Sequence, residues 1–394
     1  MVGEFGLGVA ILSVAIWAGL LTVWGNFWRC DQRLAEALPQ FSQDRPWPEV
    51  WAVIPARNEA DVLPATVRSL LQQDYPGPFR IVVVDDQSTD GTGEGARQTA
   101  LDLHKTKQLT IITGAPLPAG WTGKLWAMEQ GVRHLQTQTP QPDYVLFTDA
   151  DIAHDPANLR QLVTKAQQDD RDLVSLMVLL RCESLWEKLL IPAFVFFFQK
   201  LYPFPWVNRS DRKTAAAAGG CILLRRSVLE QIGGLQILRQ ALIDDCSLAQ
   251  AVKQTGSGRI WLGLTQTTHS LRPYDSLQTI WDMVARTAYT QLNYSPLLLG
   301  GTVIGMALVY LVAPIALITG LVTAQLPLAI AGGLGWALMT LAYWPTIQLY
   351  GLSPLWAVCL PAIALLYNLM TLDSALRHWR GQGGAWKGRV YAQK

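Results

Sequence analysis

The sequence predicts an α/β fold with a mostly parallel sheet, set between apolar terminal segments long enough to cross a membrane. Three observations carry this expectation. Residues 5–28 and 287–372 contain no charged side chain, although the chain has 32 Lys and Arg and 30 Asp and Glu. Between those stretches, short apolar runs alternate with segments of helical spacing. Acidic pairs follow two of the apolar runs, at the edge where a parallel sheet binds its ligands. Composition excludes other classes. The 394 residues are 50% hydrophobic and 16% charged, against about 25% charged in ordinary globular chains, so the chain is not disordered. A net charge of +2 lacks the basic footprint of a nucleic-acid binder. Five scattered cysteines without CxxC spacing give neither a disulfide framework nor a zinc site, and a reducing compartment fits them.

Residues 1–28 come first. Their apolar run, 7–24, has the length of a membrane-spanning helix. It lacks the basic lead and small-residue cleavage site of a signal peptide, so it is expected to stay as an anchor. Arg29 and Arg33 follow it and only Glu4 precedes it, which places the next region in the cytoplasm. Residues 46–290 read as the α/β domain. Strands are expected at 51–54, 80–84, 109–112 and 144–147, and helices at 61–73, 125–135 and 247–253. Within 186–206, the uncharged run 189–198 is too short to span and reads as an interfacial segment or a buried core helix. Residues 297–372 hold three further apolar helices, roughly 297–320, 326–349 and 353–372, with Gly300, Gly301, Gly332, Gly333 and Gly335 available for close packing. Three spans would carry the tail, 373–394, to the far side. Its Arg377, Arg380, Lys387 and Arg389 favour the cytoplasm instead. A re-entrant segment among Pro345, Pro354 and Pro361 would reconcile the two.

Three acidic clusters and a lysine carry the chemistry. Asp85-Asp86 end one strand, and Ser88, Thr89 and Asp90 follow as either helix caps or ligand contacts. Asp149-Ala150-Asp151 ends another strand. In extended chain its carboxylates project to one side and can hold a hard divalent cation, or they form a solvated turn. Asp244-Asp245 precedes a helix, as dipole-matched acids or as a carboxylate base. Gly120-Trp121-Thr122-Gly123-Lys124 leads into a helix and can set backbone N–H groups and Lys124 near a phosphate, without Walker A spacing. The five histidines form no metal-spaced set and read as structural or surface groups.

In this order, Val53-Ile54-Pro55-Ala56-Arg57-Asn58-Glu59, Val83-Val84-Asp85-Asp86-Gln87-Ser88-Thr89-Asp90, Asp149-Ala150-Asp151 and Asp244-Asp245 resemble the family 2 glycosyltransferases of GT-A fold. Within that family the chain is similar to the hopene-associated (hopanoid-cluster) glycosyltransferases, through Pro118-Ala119-Gly120-Trp121-Thr122-Gly123-Lys124-Leu125-Trp126-Ala127, Leu190-Ile191-Pro192-Ala193-Phe194, Ala217-Ala218-Gly219-Gly220-Cys221, Ala241-Leu242-Ile243-Asp244-Asp245-Cys246 and Met283-Val284-Ala285-Arg286-Thr287-Ala288. Ala385-Trp386-Lys387-Gly388-Arg389-Val390-Tyr391 is similar to the tail of bacterial carotenoid glycosyltransferases.

The resemblance implies a membrane-bound enzyme that moves one sugar from a nucleotide-sugar to a lipid acceptor by an inverting displacement. It implies that Pro55, Ala56, Arg57 and Glu59 line the nucleotide pocket and that Asp86, with Asp85, contacts the base. Lys124 and Arg286 would face the phosphates. Asp149 and Asp151 would hold Mg2+ or Mn2+, and Asp245 would be the general base, with Asp244 beside it. The implied location is the inner (cytoplasmic) membrane, multi-pass, with the catalytic domain cytoplasmic. The QxxRW signature is replaced by Met283-Val284-Ala285-Arg286-Thr287, which argues against a processive polysaccharide synthase. A polyprenyl-phosphate or carotenoid acceptor stays open, as does a non-catalytic membrane scaffold.

Overall fold

The computed structural model describes residues 2–34, 46–255, 258–381, 385–386 and 389–390. Lys387 and Tyr391 of the tail lie outside the described residues. The chain opens with α1 (Val2–Thr22), then enters the α/β domain: β1 (Val50–Ala56), α2 (Leu63–Leu71), β2 (Phe79–Asp85), α3 (Thr92–Asp102), β3 (Leu109–Thr113), α4 (Gly123–Gln136) and β4 (Tyr144–Thr148). It continues through β5 (Ile152–Ala153), α5 (Asn158–Gln168), β6 (Leu173–Leu179), α6 (Leu185–Leu201), α7 (Phe204–Val207), β7 (Cys221–Arg225), α8 (Arg226–Gln231), α9 (Asp244–Gln254) and β8 (Ile260–Ser270). α10 (Leu277–Ala285) and α11 (Ala288–Gln291) lead to α12 (Pro296–Met306), α13 (Val312–Val322), α14 (Leu326–Leu349) and α15 (Leu360–Trp379), and then β9 (Ala385–Trp386) and β10 (Arg389–Val390).

Eight strands form one sheet in the order β3-β2-β1-β4-β7-β6-β8-β5. β3, β2, β1 and β4 are mutually parallel, as the strand–helix alternation predicts. β7 enters antiparallel between β4 and β6. β1 is buried along its whole length because helices cover both sheet faces. Val53 points to the side packed by Leu125, Met128 and Val132 of α4, and Ala52 and Ile54 to the side packed by α2, α3 and α5. This two-sided burial is why the strand reads as a continuous apolar run. α2 starts at Leu63, with Pro64 in its first turn, where a missing N–H costs nothing. Gly91, with φ 87°, precedes α3; Asp90 instead accepts from Thr92 N and Ala60 N, tying the β2 turn to the loop after β1.

Among the described residues, four helices are long and apolar enough to cross a membrane: Glu4–Thr22, Pro296–Val322, Leu326–Leu349 and Pro354–Trp379. α12 and α13 are one helix with a π-helical segment, Ala307–Leu311, at their junction. Such a segment frees a backbone carbonyl, and Trp17 Nε1 of α1 donates to Val309 O at 2.7 Å. α13 and α14 pack through glycine. A Cβ at Gly332 would lie 2.3 Å from Leu317 N, and one at Gly320 2.3 Å from Ala329 N. Among the described residues nothing lies within 4 Å of a Cβ at Gly300 or Gly301, so the close packing expected there is not found among them.

α15 does not repeat the course of α14. α14 ends against the α/β domain, where Leu349 O accepts from Gln266 Nε2 of β8. The following turn, Pro354–Cys359, folds back along α14, and Val358 O accepts from Trp336 Nε1 near the middle of that helix. α15 then returns. Asn368 Nδ2 donates to Val303 O, Ala375 packs with Leu299, and Arg377 pairs with Asp282 of α10. The hairpin begins and ends on the domain side.

α6 is the seam between the two bodies. Ile191, Ala193 and Phe196 pack into the helical body, while Val195, Phe194 and Phe198 pack on the domain core. A capping box starts it: Ser184 Oγ accepts from Glu187 N, and the Glu187 carboxylate accepts from Ser184 N.

Candidate active site

The carboxyl ends of the central parallel strands converge. Pro55 and Ala56 close β1, Asp85 closes β2, and Asp149 follows β4. α9 presents Asp244 and Asp245 in its first turn, where the helix dipole favours carboxylates. α4 supplies Lys124 from its first turn. Pro55, Lys124, Asp149, Gly219, Asp244 and Asp245 line one cavity.

Lys124 organises that cavity. Its Nζ lies 2.9 Å from Asp149 Oδ1 and 3.1 Å from Asp244 Oδ2. Burial disfavours the ammonium, but Asp149 and Asp244 outweigh it and raise its pKa. The Asp245 carboxylate accepts from Gly219 N at 2.9 Å and from Cys246 N at 2.7 Å. Burial pushes this carboxyl up to about 6, and the Asp244 charge adds to the shift, while Lys124 and the two N–H groups oppose it. A carboxyl that ionises near neutrality is matched to accepting a proton. Gly219 makes the approach possible, because a Cβ there would sit 3.2 Å from Lys124 Nζ and 3.4 Å from Asp245 Oδ2.

A second group stands beside the first. Arg272 Nε donates to Asp151 Oδ2 at 2.7 Å, and its Nη2 donates to both oxygens of Glu59 at 2.8 and 3.0 Å. Arg272 was not legible in the sequence. It is one arginine past the end of β8, and only the fold brings it across 121 residues to Asp151. Tyr274 lies close by. Burial raises its pKa, with the charges of Arg272, Asp151, Arg286 and Asp149 all acting on it. Arg286 itself is exposed at the end of α10 and does not line the cavity. Arg57 Nη1 donates to Asp86 O at 2.5 Å and lies 3.7 Å from Asp86 Oδ2, with Asp86 fully buried. Asp85 Oδ1 accepts from Ser88 N. His154, as expected, is structural: its ring is buried between Thr148 and Asn158, and burial pushes its pKa down to about 3.

Asp149 and Asp151 flank a turn rather than an extended segment, and each takes a different cation. Burial raises the Asp149 pKa, against Lys124 and with Asp151 adding. Two hard-oxygen carboxylates that feel each other's charge fit a divalent cation. Among the described residues no group of three or more His, Cys, Asp or Glu could hold a metal ion.

Comparison with known proteins agrees with this geometry. Residues 51–233 match the model described as Glycosyl transferase family 2. A probable glycosyltransferase, YdaM, of Bacillus subtilis is 24% identical over 64% of this chain and 58% of its own length. A β-monoglucosyldiacylglycerol synthase of Synechocystis is 32% identical over 39% of this chain and 35% of its own length. The chain thus spans less than two thirds of either relative. A mannosyltransferase of Pyrobaculum calidifontis, solved with GDP-Man and Mn2+, superposes over 93% of this chain and 99% of its own, with TM-score 0.57 and 19% identity. That likeness establishes the GT-A fold.

Proposed function

We propose that this chain, through its family 2 glycosyltransferase domain, moves a single sugar from a nucleotide-sugar to a lipid acceptor at the membrane. One observation carries the proposal. Asp245, held by the backbone N–H groups of Gly219 and Cys246, stands beside the Lys124–Asp149–Asp244 group at the carboxyl edge of the sheet.

The nucleotide lies along the loop after β1 and the β2 turn, against Arg57, Glu59 and Asp85, with the buried Asp86 behind Arg57. Its diphosphate faces Lys124 and Arg272, with Arg286 at the rim. Asp149 and Asp151 are the residues that hold Mg2+ or Mn2+, which when bound supplies positive charge to the diphosphate leaving group. Asp245 takes the proton of the acceptor hydroxyl. The acceptor oxygen bonds to the anomeric carbon as the bond to the diphosphate breaks, and the nucleoside diphosphate leaves with the electron pair. Attack from the Asp245 side, opposite the leaving group, inverts the anomeric centre. A hopanoid is the first acceptor to try, on the resemblance of the chain to the hopanoid-cluster enzymes. The apolar helices hold the protein in the inner membrane with the domain in the cytoplasm, and the α15 hairpin keeps the basic tail on the same side.

The test is nucleoside-diphosphate release by the full chain in lipid nanodiscs, with Mg2+ or Mn2+, a panel of nucleotide-sugars and hopanoid-containing lipid. Metal-dependent release matched by a glycosylated lipid, and lost in Asp245→Asn and Asp151→Ala, is the expected outcome. A folded protein that binds no nucleotide-sugar under any of these conditions would sink the proposal.

A further inference from the structure

We propose that the α/β domain itself rests on the bilayer, through a patch of tryptophans and unpaired cations at the end of α1, and that this patch takes the phosphate headgroups of anionic lipids. The inference rests on the membrane placement given above and adds a lipid preference to it.

The patch begins where the first apolar helix stops. Val23 and Trp24, just past Thr22, are 73% and 42% exposed, and Leu201 at the end of α6 is 51% exposed. Beside a helix of membrane-spanning length, exposed apolar side chains belong at the lipid boundary, and tryptophan is the residue suited to that depth. The rings are fixed from inside the protein. Trp24 Nε1 donates to Lys200 O at 2.9 Å, a carbonyl in the last turn of α6, where the helix leaves its C=O groups without helical partners. The Trp24 and Trp206 rings are 5.1 Å apart. Gly25 lets them meet. It has φ 61°, and a Cβ there would lie 2.6 Å from Pro203 Cβ and 2.9 Å from the Trp206 ring. The end of the apolar helix and α7 of the domain thus form one face.

Cations stand over these rings. Arg212 Cζ lies 5.5 Å from the Trp206 ring centre. Arg29 Cζ lies 5.7 Å from that of Trp28, whose Nε1 is held by Leu21 O at 2.9 Å. Among the described residues the side chains of Arg29, Arg212 and Lys213 make no ion pair and no hydrogen bond, and all three are exposed. Arg209, by contrast, pairs with Asp211 at 2.6 Å, and Lys200 Nζ donates to Tyr310 Oη of the helical body at 2.7 Å. A guanidinium stacked on a ring keeps its edge N–H groups free, and that edge binds phosphate oxygens in pairs. Unpaired positive charge beside exposed apolar surface fits an anionic bilayer: the apolar groups enter the acyl boundary while the cations meet headgroups. The occupant is lipid rather than protein because the patch is continuous with a helix of membrane-spanning length.

The experiment uses the full chain. Native mass spectrometry in micelles gives its affinity for phosphatidylglycerol and for phosphatidylcholine, and hydrogen exchange in nanodiscs of each lipid reads the backbone of 208–213. Phosphatidylglycerol should bind more tightly by about fivefold for each cation engaged and should slow exchange in that segment. Arg212→Gln with Lys213→Gln should cut the preference about 25-fold on the same basis, with the melting temperature unchanged because both side chains are exposed. Equal binding of the two lipids, or a preference untouched by the double variant, would overturn the proposal. So would displacement of phosphatidylglycerol by equimolar inorganic phosphate, the mark of a free-anion site. A chain that stays soluble without detergent or lipid would overturn the membrane placement and this inference with it, and nucleotide-sugar binding is read separately from both.

Discussion

Replacing Glu187 should loosen the seam between the α/β domain and the helical body and disturb the active site through the same atoms. The side chain is fully buried. Its Oε2 accepts from Glu183 N at 2.9 Å and Ser184 N at 2.8 Å, and its Oε1 accepts from Tyr274 N at 2.8 Å and Arg181 Nη1 at 3.2 Å. One carboxylate thus caps α6 and pins the segment that carries Arg272 onto Asp151 and Glu59. Burial alone would raise its pKa, but the N–H groups of Ser184, Tyr274 and Glu183, with Arg181, hold it below the usual range.

Glu187→Ala strands three backbone donors in a dry site. Arg181 keeps Glu183 and Asp275 and is not stranded. Each buried donor left unmade costs about 1–3 kcal/mol, and because the three share one acceptor a joint loss of about 3–5 kcal/mol is expected, as for a broken buried pair. Glu187→Gln keeps the shape but turns an amide NH2 toward two N–H donors, for a loss of about 1–3 kcal/mol. The sign with pH follows from the lowered pKa. The stabilisation is present above the unfolded value of about 4.3 and is lost as pH falls through the folded one, so the wild type should weaken in that acid range more than the Gln variant. Thermal unfolding in nanodiscs at pH 7 and in the acid range, with nucleotide-sugar binding, reads both effects. A Glu187→Ala protein within about 0.5 kcal/mol of wild type, the range of ordinary surface changes, would refute the reasoning.

Other outcomes are expected at the site and in the membrane body. Asp245→Asn should lower turnover by about 10²–10⁴, the usual worth of a general base, with nucleotide binding retained. In the unmodified enzyme the rate should rise with pH through about 6, where Asp245 loses its proton; a rate flat across pH 5–8 under the same metal would count against that role. Gly219→Ala puts a methyl 3.2 Å from Lys124 Nζ and 3.4 Å from Asp245 Oδ2. Because both neighbours are side-chain ends, it should lower turnover while the melting temperature stays near that of wild type. Gly332→Ala drives a Cβ to 2.3 Å from the backbone of Leu317 and should destabilise the α13–α14 pair by about 1–3 kcal/mol, whereas Gly300→Ala, facing open space, should not. Equal melting of the two variants in nanodiscs would disprove that packing.

The parallel half of the sheet was legible because its strands are buried on both faces. Burial on both sides leaves no polar alternation, so 51–54, 80–84 and 144–147 stand out as apolar runs, and the acids that end them mark the ligand edge. The apolar helices were legible for a similar reason: hydropathy reports the surroundings of a segment. It does not report whether those surroundings are lipid or protein. The window in Pro296–Val322 is 17% buried by protein and that in Pro354–Trp379 is 44%, and only the pairings of Val358, Asn368 and Arg377 turn the second into a returning hairpin. The same limit applies at the site. Lys124, Asp149, Asp244 and Asp245 could be picked out singly from strand ends and a helix start, each next to a local signal. Arg272 and Glu187 have no such signal. Their roles arise from contacts between segments dozens to hundreds of residues apart, and a side chain acquires an electrostatic function only when folding removes the water between it and its partner.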